Sequence, residues 1–153
     1  MTYCFDSSAV VKRYAPERGS AWVRSIGASG TEDIIYLGQV GIVEIAAALS
    51  RKVRTQELSH DEYEAALWLF LMDVRNEAYV ITSLSDHIVE LAVNLTRRYP
   101  LRGYDAVHLA TAIALNNALI GAGQSQLVFV AADTRLCDAA QGEGLATENP
   151  NDH

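Results

Sequence analysis

Cysteine, long apolar runs, a secretion-type start and net positive charge are all scarce in this 153-residue chain, and each shortage removes a class of answers. The two cysteines, Cys4 and Cys137, are too few for a disulfide framework or a zinc pattern, and both read as small core residues. The longest unbroken apolar run, Ala65 to Met72, falls well short of the roughly 20 residues that a bilayer requires, so no transmembrane helix is expected. The opening Met-Thr-Tyr-Cys-Phe-Asp lacks the basic start and apolar stretch of a secretion signal, which makes a cytoplasmic location the expectation. No Gly-x-Gly-x-x-Gly follows the first strand, which argues against a dinucleotide enzyme. Asp6 has Ser8, rather than a second acid, two positions on, which fits an aspartyl-phosphate phosphatase badly.

Basic residues number 12 against 19 acidic ones, a net charge of −7. That balance argues against a nucleic-acid binder relying on bulk attraction to phosphate. Part of it comes from carboxylates that divalent ions would neutralise locally, so a phosphodiester substrate stays open.

The chain does have globular composition, 50% hydrophobic and 20% charged, in a length suited to one domain over residues 1–153. A strand over Thr2 to Asp6 leads into a helix that Pro16 prevents from continuing beyond Tyr14. A short helix over Glu17 to Ile26, a turn at Gly27 to Gly30 and a strand over Asp33 to Leu37 follow. The small and apolar residues of Gln39 to Arg54 recur all round a helix, which is expected to be mostly buried. Ser59 caps a helix over His60 to Arg75. Then come a strand at Tyr79 to Thr82, a helix from Asp86 that Pro100 stops, a helix over Tyr104 to Ala118, a strand at Leu127 to Ala131 and a helix from Asp133 or Thr134 to Gln141. The tail after Gly142 has room for a short edge strand. Strands alternating with helices predict a mainly parallel sheet covered on both faces, an α/β/α three-layer sandwich.

Three acids occupy strand ends or first helical turns: Asp6, Asp105 and Asp133. Taken singly, each position is equally that of an N-cap or of a residue favoured by the helix dipole. If the strands are parallel and adjacent, Asp6 and Asp133 meet at the carboxyl edge of the sheet, where open α/β folds bind ligands. Glu44 is the only charged residue between Asp33 and Arg51, within a helix otherwise made of small and apolar residues. Buried there, it needs a compensating cation; facing solvent, it needs none.

The order Phe-Asp-Ser-Ser-Ala-Val-Val-Lys-Arg-Tyr, mid-helix Glu44, Gly-Tyr-Asp-Ala-Val-His-Leu-Ala and Val-Phe-Val-Ala-Ala-Asp-Thr-Arg resembles the PIN-domain ribonucleases over nearly the whole chain. It looks most like the VapC toxins of toxin and antitoxin pairs. The resemblance implies a PIN-like fold and an endoribonuclease dependent on Mg2+ or Mn2+. It matches Asp6, Glu44, Asp105 and Asp133 to the metal-binding acids and Ser8 to a small hydroxyl residue of the site. It further implies cleavage to 5′-phosphate and 3′-hydroxyl ends, an RNA substrate, a cognate antitoxin and a homodimer. Oxygen ligands suit hard divalent cations, so residue type and implied chemistry agree. A PIN-like domain that no longer cuts and serves in binding or assembly is the alternative, motivated by the acidic net charge and the apolar helix.

Asp138 does not clearly match the pattern, and His108, three residues after Asp105, reads as a hydrogen-bonded interior histidine. Among the basic residues Lys12, Arg13, Arg51, Lys52, Arg54, Arg97, Arg98, Arg102 and Arg135, the groups at 51–54 and 97–98 read as helix-closing charges. Arg102 and Arg135, beside the acids, are the better candidates for phosphate contact. The run Leu67 to Met72 offers more apolar surface than one helix face buries, which suggests a protein contact that Trp22 would join.

Overall fold

The structure, a computed structural model, describes residues 1–28 and 30–153; Ser29, inside the turn expected at Gly27 to Gly30, lies outside the described residues. Five parallel strands, β1 (Thr2–Phe5), β2 (Ile34–Gly38), β3 (Val80–Thr82), β4 (Val128–Val130) and β5 (Ala146–Glu148), form one sheet in the order β3-β2-β1-β4-β5. Around them run α1 (Ser7–Tyr14), α2 (Ser20–Ser25), α3 (Gln39–Arg54), α4 (His60–Arg75), α5 (Asp86–Arg98), α6 (Gly103–Gly121) and α7 (Thr134–Gly142). A 3₁₀ turn follows at Pro150–Asp152.

The strands are short; buried residues concentrate in the inner strands β1, β2 and β4, while the edge strands β3 and β5 are only partly covered. Alternate side chains serve alternate cores. Cys4 and Phe129 join Leu109, Leu95 and Leu136 of α6, α5 and α7 on one face. Phe5, Leu37 and Val130 join Val10, Ile45 and Phe70 of α1, α3 and α4 on the other. The helices therefore cover both faces, giving the expected three-layer sandwich. β1 lies at the centre, with α1 passing to one face and α7 to the other. The strand order thus reverses between β1 and β4, and a crevice opens beyond their carboxyl ends.

Three expectations need correction. α2 begins at Ser20 rather than Glu17, because Gly19 adopts φ +81° and breaks the helical path. A Cβ at Gly19 would come within 2.0 Å of the Pro150 carbonyl oxygen, so this close approach of the C-terminal turn demands glycine. α3 is not mostly buried: only Gly41, Ile45 and Leu49 are, and Val43 is 72% exposed. Small residues all round a helix leave the buried stripe undetermined until neighbours pack. On α4, Trp68, Leu69 and Leu71 are exposed, as the run of apolar residues suggested, but Trp22 does not join them; it stacks on the His153 ring at 4.1 Å. Among the described residues, no helix is long and apolar enough to cross a membrane.

Candidate active site

The β1/β4 crevice receives an acid from each of the two turns that form it. Asp6 follows β1 and caps α1: its Oδ2 accepts from the Ser8 backbone N–H at 3.0 Å and from the Ser8 hydroxyl. The Ser8 oxygen in turn accepts from the Ala132 N–H at 2.9 Å, which ties the turn after β1 to the turn after β4. Asp133 caps α7, its Oδ1 accepting from the Leu136 N–H at 3.2 Å. Both acids are therefore the N-caps their positions permitted, roles that contribute about 1 kcal/mol each.

Capping engages only one oxygen of Asp6. The residue is 3% exposed, and its Oδ1 has no hydrogen-bond partner among the described residues. A buried carboxylate oxygen without a donor costs roughly 1–3 kcal/mol, so its presence calls for an explanation.

Glu44 projects from α3 toward α6, where Gly41, one turn earlier, lets His108 approach; a Cβ at Gly41 would lie 3.2 Å from the His108 ring. His108 is buried, and its Nε2 hydrogen-bonds Glu44 Oε2 and lies 3.7 Å from Asp6 Oδ1. Glu44 is thus neither a lone buried carboxylate nor fully solvated: its side chain is 24% exposed and carries an imidazole partner. Burial alone would depress the His108 pKa, but Glu44, Asp6 and Asp105 outweigh it and hold the imidazole above its ordinary value.

Asp105 sits in the first turn of α6, half-buried, and its carboxyl is held above the usual range. Desolvation is the largest cause, followed by the charge of Asp6, with Asp133 adding to it against the Arg102 backbone and guanidinium. Three segments distant in sequence therefore place carboxylates within electrostatic reach of one another. All four acids and Ser8 line one groove of about 520 Å³.

The donor set suits a hard divalent cation: oxygens only, net negative, with one buried oxygen lacking a donor. Among the described residues, no three His, Cys, Asp or Glu side chains form a ready ligand shell. The acids are gathered, and their side chains are not preset around an ion.

The basic residues sort differently from the sequence expectation. Lys12 is buried and donates to Glu17, to the Arg18 carbonyl and to Asn151, so it is a structural cation. Arg13 donates to the Ile26 carbonyl, and Arg98 pairs with Glu143. Arg102 lines the groove as expected; Arg135 and Asp138 are not among its lining residues, whereas Arg51, Lys52 and Arg54 are. Exposed Tyr104 lines the same groove, and sequence reasoning missed it. Helical spacing did hold the signal for Arg51, since positions 44, 47, 48 and 51 share one face of α3.

Comparison with known proteins gives a family and a fold. Residues 3–141 match the PIN domain family. The chain is 30% identical over 142 residues to Ribonuclease VapC45 of Mycobacterium tuberculosis strain CDC 1551, covering 92% of this chain and 90% of that one. In fold it is similar to FitAcB from Neisseria gonorrhoeae, with a TM-score of 0.63, 16% identity and 97% of both chains covered. It is also similar to a toxin-antitoxin complex from Klebsiella pneumoniae, with a TM-score of 0.62, 18% identity and 97% of both chains covered. Strand order, acid placement and a family match over nearly the whole length lead to one assignment: the chain belongs to the PIN domain family.

Proposed function

We propose that this chain is an endoribonuclease dependent on Mg2+ or Mn2+, and the toxin of a toxin and antitoxin pair. One observation carries the reading. Asp6, Asp105 and Asp133 arrive from three distant segments at the switch-point crevice, close enough for Asp6 and Asp133 to raise the Asp105 pKa. Like charges are gathered this way where a cation is to be bound. The ribonuclease name of the relative from Mycobacterium tuberculosis supports RNA as the substrate.

A divalent cation bound there would supply positive charge against the scissile phosphate and make water a better nucleophile at neutral pH. The chain's own residues do the rest. Asp6, Asp105 and Asp133 would hold the cation, with Glu44 beside them. Ser8 fixes Asp6 by donating to its Oδ2, leaving Oδ1 available. His108 holds Glu44 from the protein side. Water adds to phosphorus, the bond to the 3′ oxygen breaks, and that oxygen takes up a proton, leaving 5′-phosphate and 3′-hydroxyl ends. Arg102 sits at the groove as a cation for the phosphate.

A partner surface is part of the same reading. The exposed Trp68, Leu69 and Leu71 on α4 suit contact with an antitoxin or with a second copy of the chain, and the toxin-antitoxin complex of similar fold supports a partner.

The test is cleavage of a fluorophore-quencher RNA in MgCl2, in MnCl2 and in EDTA. Wild type should cut only with a divalent ion, and Asp105→Asn should lose about 100-fold or more while its circular dichroism stays unchanged. Undiminished cleavage by Asp105→Asn, or in EDTA, would overturn the reading. A second reading, a PIN-like binding module that does not cut, is favoured by two observations: Glu44 already has His108 as a hydrogen-bond partner, and no ligand shell is preset among the described residues. Cation binding by isothermal titration without any cleavage would select it.

A further inference from the structure

The groove that contains the acids does not end with them. It continues along α3 over Ala47 and Ala48 to Arg51, Lys52 and Arg54, and Tyr104 forms part of its lining. Resting on the nuclease reading, we infer that this groove takes a single-stranded RNA segment lengthwise along α3. A phosphate flanking the scissile one meets Arg51 and Arg54, and a base stacks on Tyr104.

Glu44, Ala47, Ala48 and Arg51 fall at i, i+3, i+4 and i+7 and so occupy one helix face. At 1.5 Å per residue, Arg51 lies about 10 Å along the axis from Glu44, within reach of a neighbouring phosphate when the scissile one is at the acids. Between them stand two alanines, which offer neither bulk nor charge against a sugar-phosphate backbone. The cations are not equivalent. Lys52 is engaged by Glu17 at 2.6 Å and Glu57 at 2.7 Å. Among the described residues, neither Arg51 nor Arg54 takes part in an ion pair, and both are exposed.

Tyr104 is 59% exposed and borders both this groove and the adjoining cleft of about 540 Å³ lined by Glu44, Arg102 and Asp105. An exposed ring beside a phosphate site is the arrangement by which proteins hold unpaired bases, whereas a duplex keeps its bases stacked internally. Glu17 and Glu57 also line the far end, where they pair with Lys52, so Arg51 and Arg54 leave that end net positive. Acids at one end and free arginines at the other suit a polyanion: one phosphate meets the cation held by the acids, and the next meets arginine. A protein segment would have to carry both signs in matching order.

The test is fluorescence anisotropy of a labelled single-stranded RNA of mixed sequence in MgCl2, across about 50 to 200 mM salt, in an Asp105→Asn background that keeps the probe intact. Adding Arg51→Gln and Arg54→Gln should weaken binding about tenfold and reduce the log-log salt slope by about 1.4, the value for two contacts to a single strand. Tyr104→Ala should weaken binding about fivefold or more with the slope unchanged, and Tyr104→Phe should restore it. Arg75→Gln with Arg97→Gln, the same charge change at exposed residues outside the groove, should change neither quantity. If the Arg51 and Arg54 variant matches that control, the inference falls and the basic wall is left for an acidic protein partner. No RNA binding by the parent protein would overturn it as well. Unchanged KM for cleavage in Arg51→Gln, Arg54→Gln enzyme sinks the groove inference alone. An RNA-binding pattern as described in a chain that never cuts sinks the nuclease reading alone.

Discussion

Replacing Asp6 by Asn should make the ion-free protein more stable and at the same time blind it to magnesium. The buried Asp6 carboxylate faces a like charge from Asp105 and keeps Oδ1 without a donor, which costs roughly 1–3 kcal/mol. An asparagine retains a carbonyl oxygen to accept the two Ser8 bonds that cap α1, so the helix start survives. It gives up the contact of Asp6 Oδ1 with His108 Nε2 at 3.7 Å, which offsets part of the gain. The expected net is about 1 kcal/mol in favour of the variant, a rise in Tm of about 3 °C for a chain of this size. Wild type should respond to magnesium in the opposite sense. With a Kd of about 1 mM, about 10 mM MgCl2 stabilises the folded state by about 1.4 kcal/mol, or about 4 °C. Asp6→Asn should lose most of that shift. Differential scanning calorimetry in EDTA, in MgCl2 and in NaCl of matched ionic strength separates specific binding from screening. A variant that melts well below wild type in EDTA refutes the claim that the carboxylate is strained. One that keeps the full magnesium shift refutes the claim that Asp6 is a ligand.

Lys12→Met removes a buried ammonium and strands Asn151 Oδ1 and the Arg18 carbonyl, so urea unfolding should show a loss of about 3 kcal/mol; a loss under about 1 would show the network to be dispensable. Burial pushes the Glu17 carboxyl up, yet Lys52 and Lys12 outweigh it and hold it below its usual 4.5. Its contribution is therefore complete above that pH and is lost as pH falls through the lower folded value. The stability gap between wild type and Glu17→Gln should close on acidification toward about pH 3 and stay constant above about pH 5, as equilibrium unfolding across that range would show. Gly19→Ala places a Cβ 2.0 Å from the Pro150 oxygen at φ +81°, so about 2 kcal/mol should be lost. In a Trp68→Phe background the emission of Trp22 should change as well, because its stacking with His153 depends on the same turn.

The parts legible in the sequence are those governed by near neighbours. Tyr3, Cys4 and Phe5 alternate between the two cores as period two dictates, Pro16 stops α1 where its missing N–H requires, and Ser59 closes a capping box with Glu62. The acids after β1 and β4 were legible because parallel strands deliver their carboxyl ends to one edge. What could not be read depends on tertiary partners. Glu44 read either as a buried charge needing a cation or as a solvent-facing one; its partner His108 lies 64 residues away, and the close approach of α6 to α3 at Gly41 joins them. Lys12 looked like a candidate for RNA because a lysine in a first helix is usually solvated; the C-terminal turn, reaching it through Asn151, made it structural. Arg51 looked like a helix-closing charge, and it does lie in the last turn; helical spacing puts it on the Glu44 face, but that this face lines a groove depends on residues of other elements such as Arg102 and Tyr104.

His108 is the side chain through which the protein itself contacts two of these carboxylates, Glu44 and Asp6. Its imidazole has its pKa held above the ordinary value by Glu44, Asp6 and Asp105, against burial, and sits 2% exposed between the first two, so it faces two of the carboxylates from the protein side. A cation at the acids competes for the same negative charge. It would offset the pull of the acids on His108 while supplying Asp6 Oδ1 with the partner it lacks. The imidazole keeps Glu44 in place from the side facing the core, and the groove side stays open to solvent. A histidine at that position therefore supports the acids without closing the space in which the chemistry would occur.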